Sequence, residues 1–153
     1  MNRKVYVDKS KTGRGLFAAR NIRKGEVLFR FTGKVVKFDS YTRLQIGPGR
    51  WVEPGKATCR WINHSCYPNA GIRGSRTFVA IKPIRKGKEV TYDYSTSEDA
   101  PMRQPYIRGC RCGSRNCRRN IWGWSRLPER LKRKYARFTS AWLKKRAAAA
   151  NGA

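Results

Sequence analysis

A chain of 153 residues is sized for one domain with a modest core, and 39% hydrophobic and 12% aromatic residues suffice to build it. Thirty-six Lys+Arg against nine Asp+Glu give a formal net charge of +27 and a pI of about 11, a field that favours nucleic acid or another polyanion as a partner. No apolar run approaches membrane-spanning length, and the opening Met1-Asn2-Arg3-Lys4 leads into a strand-like stretch rather than a signal sequence, so an intracellular, soluble setting without membrane contact is expected.

Taken in order, a short strand is predicted at residues 5–7, a turn at 11–15 and a buried strand at 16–19. Gly13-Arg14-Gly15 lets the backbone bend and approach a ligand closely, although most such pairs are plain turns. Ile22-Arg23-Lys24-Gly25-Glu26 is a further turn, and strands are predicted at 27–31 and 34–38 around Thr32-Gly33. Residues 39–56 look irregular, punctuated by Gly47-Pro48-Gly49 and Pro54-Gly55. In Arg60-Trp61-Ile62-Asn63-His64-Ser65-Cys66-Tyr67-Pro68-Asn69 a buried segment runs into a polar, tightly held turn that carries the single histidine of the chain.

Thr77-Phe78-Val79-Ala80-Ile81 is the clearest strand, β-branched and aromatic. Pro83-Ile84-Arg85-Lys86-Gly87-Lys88-Glu89 then echoes the earlier Ile22-Arg23-Lys24-Gly25-Glu26, which predicts the same kind of tight turn before a strand. That strand, 90–94, ends in Tyr92-Asp93-Tyr94, and strict alternation would point both phenols to one side. Residues 95–104 read as a loop carrying Glu98 and Asp99. Beyond the cysteine-rich stretch the period changes. Leu127, Leu131, Tyr135, Phe138 and Trp142 recur at helical spacing, with Pro128 suited to a first turn and Lys/Arg on the opposite face. One basic amphipathic helix is expected there, followed by a frayed tail over 147–153.

Cys110-x-Cys112-x4-Cys117 supplies three thiolates, and a structural zinc site wants four. Cys59, expected in a buried strand, and Cys66, in the polar turn, are the remaining candidates. An odd total of five cysteines in a reducing compartment argues for metal rather than a disulfide framework. A closed four-thiolate site leaves no position for a water, so such a metal would be structural.

Together, Gly13-Arg14-Gly15-Leu16-Phe17-Ala18, residues 60–69 and Glu89-Val90-Thr91-Tyr92-Asp93-Tyr94 resemble, in order and spacing, the three signatures of SET-domain protein-lysine methyltransferases, and Cys110, Cys112 and Cys117 resemble the post-SET zinc motif. The resemblance covers roughly residues 6–118. It implies a mainly β fold of small sheets with a knot-like crossing near residues 63–66 and Tyr94, then a zinc-bound post-SET segment and the basic helix. The implied division is 1–106 for the catalytic domain, 107–121 for the zinc segment and 122–153 for helix and tail. It further implies S-adenosylmethionine as methyl donor, with Gly13, Arg14, Gly15, Leu16, Arg60, Asn63, His64 and Tyr94 lining the cofactor. Tyr94 matches the catalytic tyrosine and Tyr92 a position that restricts the methylation state, favouring mono- or dimethyl-lysine. Cys66 matches the fourth zinc ligand. The chain departs from the family at Phe31-Thr32-Gly33-Lys34, where Tyr-x-Gly-Glu is usual, and its insert between Gly33 and Arg60 is short; both bear on substrate choice.

The chemistry suits the residue types. Methyl transfer from a sulfonium is a direct displacement that needs a neutral, aligned amine in a narrow aromatic channel, which lowers the amine pKa by desolvation. His64 is assigned to structure and cofactor contact rather than to general base catalysis. The expected substrate is a basic, DNA-associated protein, histone or histone-like, in the cytoplasm or nucleoid or in a nucleus, and DNA or nucleoprotein contact is expected through the basic helix. The competing reading is a non-catalytic, zinc-stabilised nucleic-acid-binding protein, which would need neither Tyr94, Asn63 and His64 nor the Gly13/Gly15 stretch.

Overall fold

The computed structural model describes residues 3–101 and 103–152; Met1, Asn2, Met102 and Ala153, which fall in the expected lead-in, loop and tail, lie outside the described residues. Strands β1 (Val5–Ser10) and β2 (Gly13–Ala18) form an antiparallel hairpin from Val5↔Ala18 to Ser10↔Gly13. The turn is therefore only Lys11-Thr12, and the glycines expected to form it lie within β2. Strands β3 (Val27–Arg30) and β4 (Lys34–Val36) follow as expected, each shorter than the predicted span. Residues 39–56 are more regular than their composition suggests. They contain the hairpin of β5 (Leu44–Gly47) and β6 (Arg50–Glu53), closed at Pro48-Gly49, where Gly49 takes a φ of 61° that few other residues tolerate.

A one-turn 3-10 helix, Thr58–Trp61, leads into the two-residue strand β7 (Asn63–His64). Strands β8 (Ala70–Arg73), β9 (Thr77–Ala80) and β10 (Glu89–Tyr92) complete three small sheets, ordered β1-β2-β10-β7, β3-β9-β8 and β4-β6-β5. Their apolar faces close on one core in which Phe78 is fully buried, stacked on Phe29 at 5.0 Å and edge-on to Tyr92 at 4.9 Å. Beside it lie two smaller clusters. One joins Cys66, Cys110 and Ile121; the other joins Trp124, Leu127, Leu131, Tyr135, Trp142 and Leu143.

The C-terminal segment corrects the expectation of one long helix and a frayed tail. It forms α1 (Glu129–Lys134), a single 3-10 turn (Ala136–Phe138) and α2 (Ala141–Asn151), which takes in most of the supposed tail. The break falls at Thr139 and Ser140, both fully buried. Ser140 donates its N–H to Thr96 O at 2.8 Å and Ala141 donates to Gly74 O at 2.9 Å, so tertiary partners replace helical ones. Leu127, Leu131, Tyr135 and Trp142 nevertheless all point inward, as their spacing predicts, whereas Phe138 is half-buried and lies outside this cluster. Among the described residues no helix is long and apolar enough to cross a membrane.

Candidate active site

The site is organised by β10, which sits between β2 and β7. It pairs antiparallel with β2 through Glu89↔Phe17 and Val90↔Leu16, and parallel with β7 through Thr91↔Asn63 and Tyr92↔His64. Ser65 N–H donates to Tyr92 O at 3.0 Å and extends that pairing. The three blocks singled out in the sequence thus become neighbours along adjacent strands, where the knot-like crossing is expected.

Glu89 ties them together. Its carboxylate accepts from Ser10 Oγ at 2.9 Å and from Asn63 Nδ2 at 2.8 Å, and the same amide nitrogen donates to Arg14 O at 2.8 Å. Both Asn63 amide hydrogens are then engaged, leaving its Oδ1 to accept from a ligand amino group. A side chain at position 15 would place its Cβ 2.3 Å from Glu89 Oε1, so only glycine lets the carboxylate lie across β2. Arg14 and Arg60 both stand over the half-buried Trp61, at 5.3 and 5.0 Å, and Arg60 donates to Gly55 O at 2.7 Å. Leu16 is entirely buried in the core, so only its backbone could meet a cofactor.

His64 is buried, and Tyr94 N–H donates to its Nδ1 at 3.2 Å. Nδ1 is thereby the unprotonated nitrogen, and Nε2 donates toward Cys66 Sγ at 3.3 Å. Burial lowers its pKa to about 4, against the opposing pull of Asp93. A neutral ring with both nitrogens engaged is a strut and not a general base.

Tyr94 lies beyond the end of β10, in the 3-10 turn Tyr94–Thr96, whereas the sequence predicts it as the last residue of the strand. The expected same-side pairing by alternation fails, but the two phenols still converge, with rings 4.9 Å apart. Asp93 causes the turn. Its side chain accepts from Ser95 N–H at 3.1 Å, capping the 3-10 helix and ending the strand. The Tyr94 hydroxyl donates to Ile62 O at 3.0 Å, and burial raises its pKa, so the phenol stays protonated. The hydroxyl of Tyr92 meets Ser97 Oγ at 3.2 Å, and Ser97 Oγ meets Glu98 Oε1 at 2.9 Å. Burial lifts Glu98 to about 8 although Gln45 N–H and Ser97 both donate to it.

On the far flank, the sulfurs of Cys66, Cys110, Cys112 and Cys117 all lie within 4.8 Å of one another. Metal–sulfur bonds of about 2.3 Å put tetrahedral sulfurs about 3.8 Å apart, so the donor set fits a closed four-thiolate zinc centre. Cys59 is buried in the main core near Thr32 and takes no part. The segment is fastened by a pair that no residue spacing signals. Arg118 donates to both oxygens of the buried Asp93, at 2.6 and 2.8 Å, and its backbone N–H points at Cys66 Sγ at 3.4 Å. Glu89 opens the Glu89–Tyr94 signature, but only its contacts identify it as the clamp.

With this geometry in view, the SET-domain family profile matches residues 13–95, more than half of the chain. The chain belongs to the SET-domain family. This SET domain is 34% identical over 132 residues to human Histone-lysine N-methyltransferase 2B, a match covering 70% of the chain and 5% of that protein. It is 32% identical over 128 residues to the Schizosaccharomyces pombe Histone-lysine N-methyltransferase, H3 lysine-4 specific, covering 68% of the chain and 13% of the relative. The chain thus spans a small fraction of these relatives. Among solved structures, KRYPTONITE in complex with mCHH DNA, H3(1-15) peptide and SAH superposes with a TM-score of 0.62 at 27% identity, over 77% of this SET domain and 29% of that chain. The methyltransferase domain of human Histone-lysine N-methyltransferase SETMAR superposes with a TM-score of 0.58 at 25% identity, over 78% of this chain and 58% of its own.

Proposed function

We propose that the protein is an S-adenosylmethionine-dependent protein-lysine N-methyltransferase that acts on a basic, DNA-associated protein of histone type. The observation that carries this reading is the position of Tyr94. Its protonated hydroxyl is held on Ile62 O, its ring faces Tyr92, and its backbone is locked to His64 beside the Asn63 strand. Bound S-adenosylmethionine would supply an electrophilic methyl group on a sulfonium. The exposed Gly13-Arg14 backbone and Asn63 Oδ1 would hold its amino-acid end, with Arg60, His64 and the backbone of Gly15 and Leu16 completing the wall. The aromatic wall of Tyr92 and Tyr94 would strip water from the incoming ammonium and favour the neutral amine, and the Tyr94 hydroxyl would fix the line of approach.

Cys66, Cys110, Cys112 and Cys117 are proposed to hold one structural zinc that closes the wall around Tyr94. Residues 1–106, 107–121 and 122–153 would then serve as catalytic domain, zinc segment and basic extension. The relatives' names as histone methyltransferases, and a bound H3 peptide and DNA in one structural neighbour, support a chromatin substrate and setting. The surplus of cations supports nucleoprotein contact by the C-terminal segment, where Arg133, Lys134, Lys144 and Lys145 are all exposed.

The deciding experiment is Tyr94→Phe. Transfer of labelled methyl to a histone panel should fall on the order of 10²-fold, as for loss of one preorganised catalytic donor, while calorimetry shows unchanged cofactor binding. Wild-type turnover in the variant would overturn the assignment, and absence of cofactor binding by the wild type would favour the non-catalytic nucleic-acid-binding reading.

A further inference from the structure

The two Ile-Arg-Lys-Gly turns that echo each other in sequence are brought together in the fold. Ile22 N–H donates to Ile84 O at 2.8 Å and Ile84 N–H donates to Ile22 O at 2.9 Å, an isolated antiparallel bridge. The hydrogen bonds around it repeat with the copies exchanged. Gly25 N–H donates to Ala80 O and Ala80 N–H to Glu26 O; equally, Gly87 N–H donates to Ala18 O and Ala18 N–H to Lys88 O, all at 2.8–2.9 Å. Gly25 and Gly87 share the left-handed backbone, with φ of 87° and 77°. The two turns are therefore related by a local pseudo-twofold axis through the Ile22–Ile84 bridge.

That symmetry is imposed on charge. Each turn presents an exposed Arg-Lys pair, Arg23-Lys24 and Arg85-Lys86, and a surface cleft lies between them, lined by Ile22, Pro83 and Ile84 and by residues of both pairs. The carboxylate in this cleft is already committed: Glu26 pairs with Arg20 at 2.8 Å and accepts from Arg23 N–H. Among the described residues these four cations thus face solvent without an acidic partner, where a folded protein ordinarily intersperses both signs. Glu26 is replaced by Lys88 in the second copy, which adds charge where the symmetry breaks.

We propose that this pseudo-symmetric surface is a docking site for the phosphate backbone of duplex nucleic acid. Double helices carry local dyads that relate their two strands, and two symmetry-related Arg-Lys pairs can meet both strands across a groove in equivalent ways. Such contacts read no bases; they fix position and release counterions. The site is separate from the C-terminal cations and needs neither cofactor nor zinc. It shares with the proposed function only the expectation of a nucleic-acid partner.

The test is fluorescence anisotropy of a labelled 20-base-pair DNA duplex against the full chain, from 50 to 200 mM KCl. Replacing Arg23, Lys24, Arg85 and Lys86 by Gln should flatten the slope of log affinity against log salt by about 3 to 4, and replacing either pair alone should take about half of that. The C-terminal variant Arg133→Gln/Lys134→Gln/Lys144→Gln/Lys145→Gln should leave this loss additive. Calorimetric cofactor affinity and thermal unfolding of the turn variant should match wild type, which guards against misfolding. The proposal is overturned if the four-residue variant keeps the wild-type slope, if one pair carries the whole effect, or if single-stranded DNA of equal length loses as much as the duplex. A slope abolished by the C-terminal variant alone would leave the proposed chromatin contact standing without this site.

Discussion

Tyr94 is held on one side by strands and on the other by a segment with almost no regular structure. The β1-β2-β10-β7 sheet has continuous ladders, a shared core of sixteen buried residues and a carboxylate clamp at Glu89. Residues 107–121 have one isolated bridge, Ile107↔Ile121, a cluster of Cys66, Cys110 and Ile121, and the Asp93–Arg118 pair. The first region supports itself by burial and backbone pairing. The second has only a small apolar cluster, and cross-links would supply its order: the proposed metal–thiolate bonds and one buried ion pair. Enzymatic competence would then depend on a region whose stability is chemically removable, next to one whose stability is not.

Metal removal should separate the two most sharply. Structural zinc contributes on the order of 10 kcal/mol in small metal-bound units. Chelation or Cys66→Ser should therefore release the ion, expose 107–121 to protease and lower methyl transfer at least about 100-fold, while the far-ultraviolet signal of the sheets persists. Elemental analysis checks the ligand set. Cys59→Ser should keep a full equivalent of zinc, and the reverse result would mean that the fourth ligand is wrong.

Asp93→Asn strikes the other cross-link. Leaving Arg118 without its buried carboxylate should destabilise the protein by about 3 kcal/mol in urea unfolding. Adding Arg118→Met should recover part of that loss, since the unpaired charge is then gone. A destabilisation below about 1 kcal/mol would show that the pair contributes little to joining the regions.

Within the sheet region the weak point is Glu98, buried with a carboxyl lifted to about 8 and raised further by nearby Asp39. Unfolding returns it to the ordinary carboxylate range near 4.5. The folded state therefore binds the proton more tightly, and its contribution to stability is present below about pH 4.5 and lost as pH rises through about 8. Glu98→Gln keeps an acceptor for Gln45 N–H and Ser97 but cannot ionise. The variant should be more stable than wild type by about 1 to 3 kcal/mol near pH 9, with the difference vanishing below about pH 4.5. Equal stability across the range would mean that the carboxylate is already solvated.

The smallest effect should come from Tyr92→Phe. Loss of the Tyr92–Ser97 hydrogen bond should cost about 1 kcal/mol. Because Tyr92 is expected to restrict the methylation state, mass spectrometry of exhaustively treated substrate should show a shift toward more highly methylated lysine. An unchanged product distribution would remove Tyr92 from control of the methylation state.

What the sequence determined by itself was the set of residue types that chemistry requires, in their order. Gly13, with its φ of 114°, and three clustered cysteines answer local backbone and ligand-spacing demands, and the Asn63-His64 and Tyr92-x-Tyr94 blocks are legible as family signatures, so they can be read without coordinates. The inward face of 127–142 was legible for the same reason, because helical spacing follows from local geometry. What only tertiary structure decided were the long-range pairings. Nothing in composition says that Glu89 reaches Ser10 and Asn63, that Arg118 returns to Asp93, or that buried Thr139 and Ser140 break the helix to bond Thr96 and Gly74. Nor does the echo of residues 22–25 at 84–87 reveal that the two turns meet face to face. A hydrogen bond between residues tens of positions apart is selected by the packing of everything between them, and that selection exists only once the chain has folded.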